Sequence, residues 1–294
     1  MKLALALNQW PLTRAAQQAQ LRQITDLPVQ RIYLGETVCS QRDRLGLSTL
    51  LELQQQCLHA GQQLILSSLN LIASARDLAL TEQLMRAPNV IIEANDMAAV
   101  ALAHEHRHPF IAGSGLNIYN LASLQWLLSL GMIGYQPPLE ITQHALTTLL
   151  QQCQQVGNRH HFELEMLGWG YPALAVSARC SSARIHGRNR QQCRKVCQQQ
   201  GAELAQSLSG QAMMRLNGTQ IHGAEPWDLL DHLDELAKLG VDWLRIVPAQ
   251  GQSLEWLTEL ATAIRQGAAH FSAPICGRAR LWQRQHLGDA LCAD

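Results

Sequence analysis

The chain has 294 residues, 47% of them hydrophobic and 16% charged, with a formal net charge of zero. That length and composition allow a large buried core. They exclude a global field that would draw the protein to nucleic acid or a membrane surface.

The N-terminal "LALAL" (3–7) follows a single lysine and imitates a signal peptide. The run breaks at Asn8 and Gln9, shorter than the ~7–15 apolar residues of a secretory core, so it reads as a first strand. Further short apolar runs read as buried strands: "RIYLG" (31–35), "QLILSS" (63–68), "NVIIEA" (89–94), "PFIAG" (109–113), "GMIGY" (131–135), "HFELEML" (161–167) and "DWLRIV" (242–247). Helical patterns lie between them, among them 12–25, 46–60, 96–107, 121–130, 142–156 and 226–239. Apolar strands separated by amphipathic helices predict parallel βα units with both sheet faces covered. Eight such strands in one domain, 1–294, predict a (β/α)8 barrel, a fold that typically takes ~250 residues. An open doubly wound sheet is the alternative. The absence of G-x-G-x-x-G after the first strand argues against a dinucleotide-binding form.

Residues 168–225 interrupt this rhythm after the seventh strand. A hairpin is expected around Asn217-Gly218. An insertion here sits on the C-terminal rim, where barrel active sites are built. No later run reaches the ~18 apolar residues of a membrane span, and a cytoplasmic protein is expected.

The insertion carries Cys180, Cys193 and Cys197 in "SARCSSARIHGRNRQQCRKVC". Helix formers around Cys193 and Cys197 predict one helix with both thiols on a face. Thiolates favour iron–sulfur clusters or zinc, and Arg179, Arg184, Arg188, Arg190, Arg194 and Lys195 are expected to favour the thiolate form. Unrelated packing cysteines are the bland alternative. For a fourth ligand, Cys57 and Cys153 lie in amphipathic helices, and Cys276 and Cys292 lie in weakly patterned sequence. Cys39 follows the strand "RIYLG" on the same rim and is favoured on topology.

The stretches "YLGETVCSQR", "ELEMLGWGYPALAVSARCSSAR" and "QQCRKVC", in order with "LALNQWP", "IEANDM", "GLNIYN" and "RLNGTQ", resemble the collagenase-like peptidase family over nearly the whole chain. Wider members look like E-x-F-x-H-G-A-L-C, with a second cysteine seven residues on, preceded by Ser-Gly-Arg. Gly170, Ser177, Arg179 and Cys180 match that pattern. Trp169 stands where the histidine would be, and Ala173 where the first cysteine would be. A branch of the family that acts in ubiquinone biosynthesis looks as if it replaces that ligand from a strand-end GE-x-V-C-S motif, which places the replacement at Cys39. The resemblance implies a 4Fe-4S cluster on Cys39, Cys180, Cys193 and Cys197, and a heterodimer with a UbiU-like paralogue. It also implies a lipid-carrier accessory protein, UbiT, and oxygen-independent hydroxylation of the ring of a prenylated phenol. Other members hydroxylate bases in RNA, with prephenate as the oxygen source. An RNA base hydroxylase, and a non-catalytic iron–sulfur partner that stabilises its paralogue, are the alternatives. Nucleic acid is the less favoured ligand, given the absence of net charge.

Polar residues at strand ends are the other candidates. Glu36, Glu93, Asn117 and Glu165 are candidate catalytic groups. Glu93 and Glu165 sit in apolar runs and are either structural ion pairs or ligand-facing groups. Asn70, Arg184 and Arg245 are candidate substrate contacts, Arg184 for a carboxylate such as that of prephenate. "HEHRH" (104–108) matches the zinc-protease motif H-E-x-x-H. Pro109 biases His108 away from helix, so the segment reads as a polar helix end, and a working peptidase is not expected.

Overall fold

The computed structural model describes residues 1–7, 9–22 and 24–283. In chain order the first elements are β1 (Lys2–Ala6), α1 (Arg14–Leu21), β2 (Arg31–Gly35), α2 (Leu47–His59), β3 (Gln63–Ser67), α3 (Ala75–Leu84) and β4 (Ile91–Ala94). Then come α4 (Met97–Glu105), β5 (Phe110–Ala112), α5 (Leu121–Ser129), β6 (Met132–Tyr135), α6 (Gln143–Gln155) and β7 (Glu163–Gly170). The insertion contributes β8 (Ala173–Val176), α7 (Ser181–Ile185), α8 (Val196–Gln200), β9 (Glu203–Gln206), β10 (Ala212–Asn217) and β11 (Gln220–Gly223). The chain returns through β12 (Trp227–Asp228), α9 (Leu233–Lys238), β13 (Trp243–Val247) and α10 (Trp256–Arg265).

Strands β13, β1, β2, β3, β4, β5 and β6 pair in that order and in parallel. Strand β7 pairs in parallel with both β6 and β13 and closes the ring. The fold is therefore the eight-stranded parallel barrel that the alternation predicts. The period-2 pleat sorts its side chains. Leu3 and Leu5, Ile32 and Leu34, Leu64 and Leu66, and Leu244 and Ile246 face the helices in the main core. Ala4, Ala6, Tyr33, Ile65, Ile111, Trp243 and Val247 form a second cluster inside the ring.

Five long helices start on side-chain caps. Thr13, Ser74, Asp96, Asn120 and Thr142 accept from the backbone N–H of Ala16, Asp77, Ala98, Ser123 and Ala145. Each cap is worth about 1 kcal/mol and fixes where a βα loop ends on the rim. Two strand ends require glycine. Gly35 and Gly170 have φ of +124° and +143°, and a Cβ would lie 2.5 Å from Ser67 O and 2.3 Å from Val247 O. Both loops that lead into the cysteine-bearing region leave the barrel at these points.

The insertion folds as an antiparallel sheet ordered β8-β11-β10-β9. The expected hairpin is β10–β11, with Asn217 paired to Gln220. Three details differ from the sequence reading. Strand β7 runs three residues past its expected end, because Trp169 and Gly170 pair with Ile246 and Val247 of β13. The helix expected over 226–239 is replaced by β12, a 3-10 turn and α9, because Trp227 pairs back on Gly170. The helix expected to carry both Cys193 and Cys197 begins only at Val196. Arg194 and Lys195 adopt φ of +49° and +53°, so Cys193 lies in a turn before it.

Candidate metal centre and barrel mouth

Cys39 stands in the loop after β2, and that loop is built by Glu36. The Glu36 carboxylate accepts from the N–H of Val38 and of Cys39, each at 2.9 Å. Burial pushes the Glu36 carboxyl up, and Arg42 with those two N–H groups only partly offsets it. Cys180 caps α7, its sulfur accepting from Ala183 N–H at 3.4 Å. Cys193 sulfur accepts from Lys195 N–H at 3.4 Å. Cys197 lies in the first turn of α8.

Cys39, Cys193 and Cys197 lie in the neighbourhood of Cys180. All are buried, and the thiols of Cys197, Cys39 and Cys193 all act electrostatically on Cys180. Every sulfur has an N–H donor: Ala183 for Cys180, Lys195 for Cys193, the Arg190 guanidinium for Cys39 and the Arg42 guanidinium for Cys197. Burial pushes the thiols of Cys180 and Cys197 up. This corrects the expectation that the arginine-rich sequence lowers them. Arg179, Arg184 and Arg194 point to solvent, and Arg188 reaches the Cys193 carbonyl instead. Among the described residues, no group of three or more His, Cys, Asp or Glu side chains is placed to hold a metal ion as the side chains stand.

Polar straps tie the insertion to the loop that carries Cys39. Thr219 donates to Val38 O at 2.6 Å and Gln220 to Thr37 O at 3.2 Å. Arg42 donates to Asn217 Oδ1 at 2.6 Å, and Asn217 contacts His222 Nε2 at 3.1 Å. Burial drives His222 down to about 4, so it is neutral, with Nδ1 donating to Tyr171 O at 2.9 Å. Lys195 pairs with Asp43, and Arg190 with Asp77 at 2.7 Å. Burial works against the Asp77 carboxylate, but Ser40, Ser74 and Arg190 outweigh it and hold Asp77 low.

The other candidates separate into two levels. Deep in the barrel, Glu165 is an ion-pair hub. It takes Arg31 at 3.0 Å, Arg245 and the Tyr33 hydroxyl. Burial alone raises its carboxyl; Arg245 and Arg31 hold it low. Glu93 pairs with Arg245. Each arginine also lies over a ring at 3.7 Å, Arg31 on Trp243 and Arg245 on Tyr33. Above this network a cavity of about 510 Å³ opens at the C-terminal rim, lined by Asn70, Glu93, Asn117 and Arg245 and roofed by β8. Glu36, Glu165 and Arg184 do not line it. Glu36 serves the Cys39 loop, Glu165 lies beneath the floor, and Arg184 is exposed on α7.

Sequence reasoning missed Arg31 and Arg42, and named Arg190 only as one of several arginines beside the cysteines. Arg31 and Tyr33, like Glu163 and Glu165, are i, i+2 pairs that share the inner face, and that alternation was the available signal.

The remaining motifs resolve simply. Helix α4 ends at Glu105 and Arg107 has φ of +58°, so His104 and His108 do not share a helix face. Their ring nitrogens meet the carbonyls of Leu130 and Met85. Cys57 and Cys153 are core residues and Cys276 is exposed; Cys292 lies outside the described residues. Among the described residues no helix is long and apolar enough to cross a membrane.

Similar solved structures include an uncharacterized B. cereus protein, at 12% identity and a TM-score of 0.44, over 88% of this chain and 64% of that one. Dihydropteroate synthase from Thermus thermophilus matches at 15% identity and a TM-score of 0.43, over 90% of this chain and 93% of that one. The model of one protein family matches residues 16–266, which spans every barrel strand but the first together with the whole insertion. On that match the chain belongs to Peptidase family U32, the collagenase-like peptidase family.

Proposed function

We propose that the chain is the iron–sulfur subunit of an oxygen-independent hydroxylase, similar to the ubiquinone biosynthesis protein UbiV, acting on the ring of a ubiquinone precursor. It works as a heterodimer with a UbiU-like paralogue and depends on the lipid carrier UbiT. The observation that carries this reading is the grouping of Cys39 with Cys180, Cys193 and Cys197 across some 140 positions of sequence, each sulfur facing an N–H donor.

The donor set fits the group. Four soft thiols suit a 4Fe-4S cluster, in which each iron takes one thiolate. N–H groups directed at the sulfurs stabilise thiolate charge and raise a cluster's potential. When bound, the cluster supplies one-electron chemistry. The chain's own residues do the rest. Glu36 and Gly35 set the Cys39 loop, and Arg42 and Arg190 balance thiolate charge. Because burial keeps the thiols of Cys180 and Cys197 protonated, loading the site releases protons and grows tighter as pH rises. The rim cavity is the place for the ring, beside the insertion that carries three of the four thiols.

Anaerobic co-purification with the paralogue, followed by iron, sulfide and zinc analysis, tests the reading. Iron and sulfide in equal amounts, with the two chains together, are expected. One zinc per chain without sulfide contradicts it.

A further inference from the structure

The four candidate ligands sit at a different depth from the packing cysteines. Cys57 and Cys153 are sealed in the core, at 0% exposure, whereas Cys39, Cys180, Cys193 and Cys197 are 6%, 6%, 7% and 6% exposed. The thiol site therefore lies just beneath the surface of the insertion. That surface is basic. Residues 36–45, 74–77 and 177–200 together hold nine arginine and lysine side chains against three carboxylates, an excess of six positive charges. The rest of the chain carries six excess negative charges, because the whole sums to zero. Such asymmetry marks a face that attracts an anionic partner.

Contacts gather these groups around the thiols. Arg44 Nη1 and Arg76 Nε both donate to Ser40 O, next to Cys39, at 3.1 and 3.3 Å. Arg188 donates to Cys193 O at 3.3 Å. The three local carboxylates are taken: Glu36 lies 3.8 Å from Arg42, Asp43 pairs with Lys195 and Asp77 with Arg190. Arg179, Arg184 and Arg194 are exposed, in a stretch (177–200) that includes no Asp or Glu. A nucleic-acid face interleaves aromatic rings for base stacking, and these three segments contain no Phe, Tyr or Trp. A membrane-surface element adds an apolar face, and Ile185 is the one large apolar side chain exposed in them. Small, weak encounters steered by opposite charge are how electron carriers dock.

We propose that this basic face docks an acidic one-electron carrier protein, which passes an electron to the site beneath it. The acidity of the partner follows from the charges alone; its role as an electron carrier rests on the function proposed above. In the step the carrier is oxidised by one electron and the cluster reduced by one, and no proton or group moves. A 4Fe-4S core with four thiolates carries a charge of about −2, so the face stays positive when the site is loaded.

Flavodoxin, an acidic carrier with one flavin, is the probe, and cytochrome c, a basic one-electron carrier, is the control. Binding to the purified full chain is read by calorimetry without oxygen. At about 50 mM salt flavodoxin is expected to bind about tenfold or more tightly than cytochrome c, and about 300 mM salt to weaken it about tenfold. Arg179→Glu, Arg184→Glu and Arg194→Glu together are expected to weaken it about 30-fold. Arg86→Glu with Arg265→Glu, which follow α3 and end α10 at the opposite face of the barrel, should change it by less than about twofold. Reduced flavodoxin mixed with the iron-loaded chain should lose one electron per cluster, read as the absorbance of the oxidised flavin. Absence of flavodoxin binding overturns the proposal, as does equal binding of cytochrome c or full binding by the triple variant. So does tighter binding of a single-stranded RNA or of phosphatidylserine vesicles, or docking to iron-loaded chain without electron transfer. Metal-free chain should dock flavodoxin within about threefold of the loaded chain. Iron analysis that defeats the cluster reading therefore removes the electron and leaves the acidic partner to be judged by its own binding.

Discussion

The barrel and the insertion on its rim differ in what holds them. The barrel packs Leu5, Ile32, Leu66, Phe110, Leu164 and Leu244 into a continuous core between strands and helices. The insertion's own cluster consists of Cys180, Ala183 and Cys193. Its sheet leaves Leu174, Leu204 and Met213 at 57%, 43% and 56% exposure. A segment with so little apolar burial does not offset its own chain entropy. Its order comes from polar bonds to the Cys39 loop and, on the proposed function, from the metal centre that its cysteines share with the barrel.

The largest effect expected from that contrast is on metal removal. Stripping iron with a chelator should raise amide hydrogen exchange in residues 173–223 by roughly 100-fold or more. The barrel strands should be unaffected. Equal protection of the insertion with and without metal breaks the comparison. Next is the barrel's own weak point. Glu165→Ala strands Arg31 and Arg245 without a partner and should cost about 3–5 kcal/mol in denaturant unfolding. A loss below about 1 kcal/mol shows that the network is solvated rather than buried.

Acid separates the two regions further. His222 is depressed from 6.5 to about 4 by burial. Between those values the unfolded chain holds a proton that the folded chain lacks. Stability is therefore full above pH 6.5 and falls as pH drops toward 4, by about 3 kcal/mol in all. Glu165 is held low, so its contribution is present above the ordinary value of 4.5 and is lost only as pH falls below it. The insertion should loosen in mild acid before the barrel does, as read by segment-resolved hydrogen exchange. His222→Gln should remove that step; the same loosening in the variant rejects the assignment. The smallest effect is at Asn217. Asn217→Ala cuts the bonds to Arg42 and His222 and should cost about 1–3 kcal/mol, felt in the insertion and not in the barrel.

The barrel was legible because its strands are apolar on both faces. "RIYLG" matches β2 residue for residue, and the other strands fall within a few positions. The network inside it was only half legible. Glu93 and Glu165 stood out as carboxylates in apolar runs, but their partner Arg31 reads as an ordinary polar residue at a strand start. The insertion was legible by its cysteines and its Asn217-Gly218 turn, not by its backbone. Local helix propensity predicted one helix through Cys193 and Cys197. The left-handed Arg194 and Lys195, with Lys195 N–H turned onto the Cys193 sulfur, overrode it. The charge on the thiols was also misjudged, because burial of Cys180 and Cys197 outweighs a basic sequence whose arginines mostly face solvent.

The central claim is that one cluster is shared between Cys39 on the barrel and the three cysteines of the insertion. Iron and sulfide content of Cys39→Ala, set beside Cys57→Ala and purified without oxygen, tests it most directly. The account predicts about four irons and four sulfides per chain in Cys57→Ala and loss of the cluster in Cys39→Ala. A full cluster retained in Cys39→Ala contradicts it.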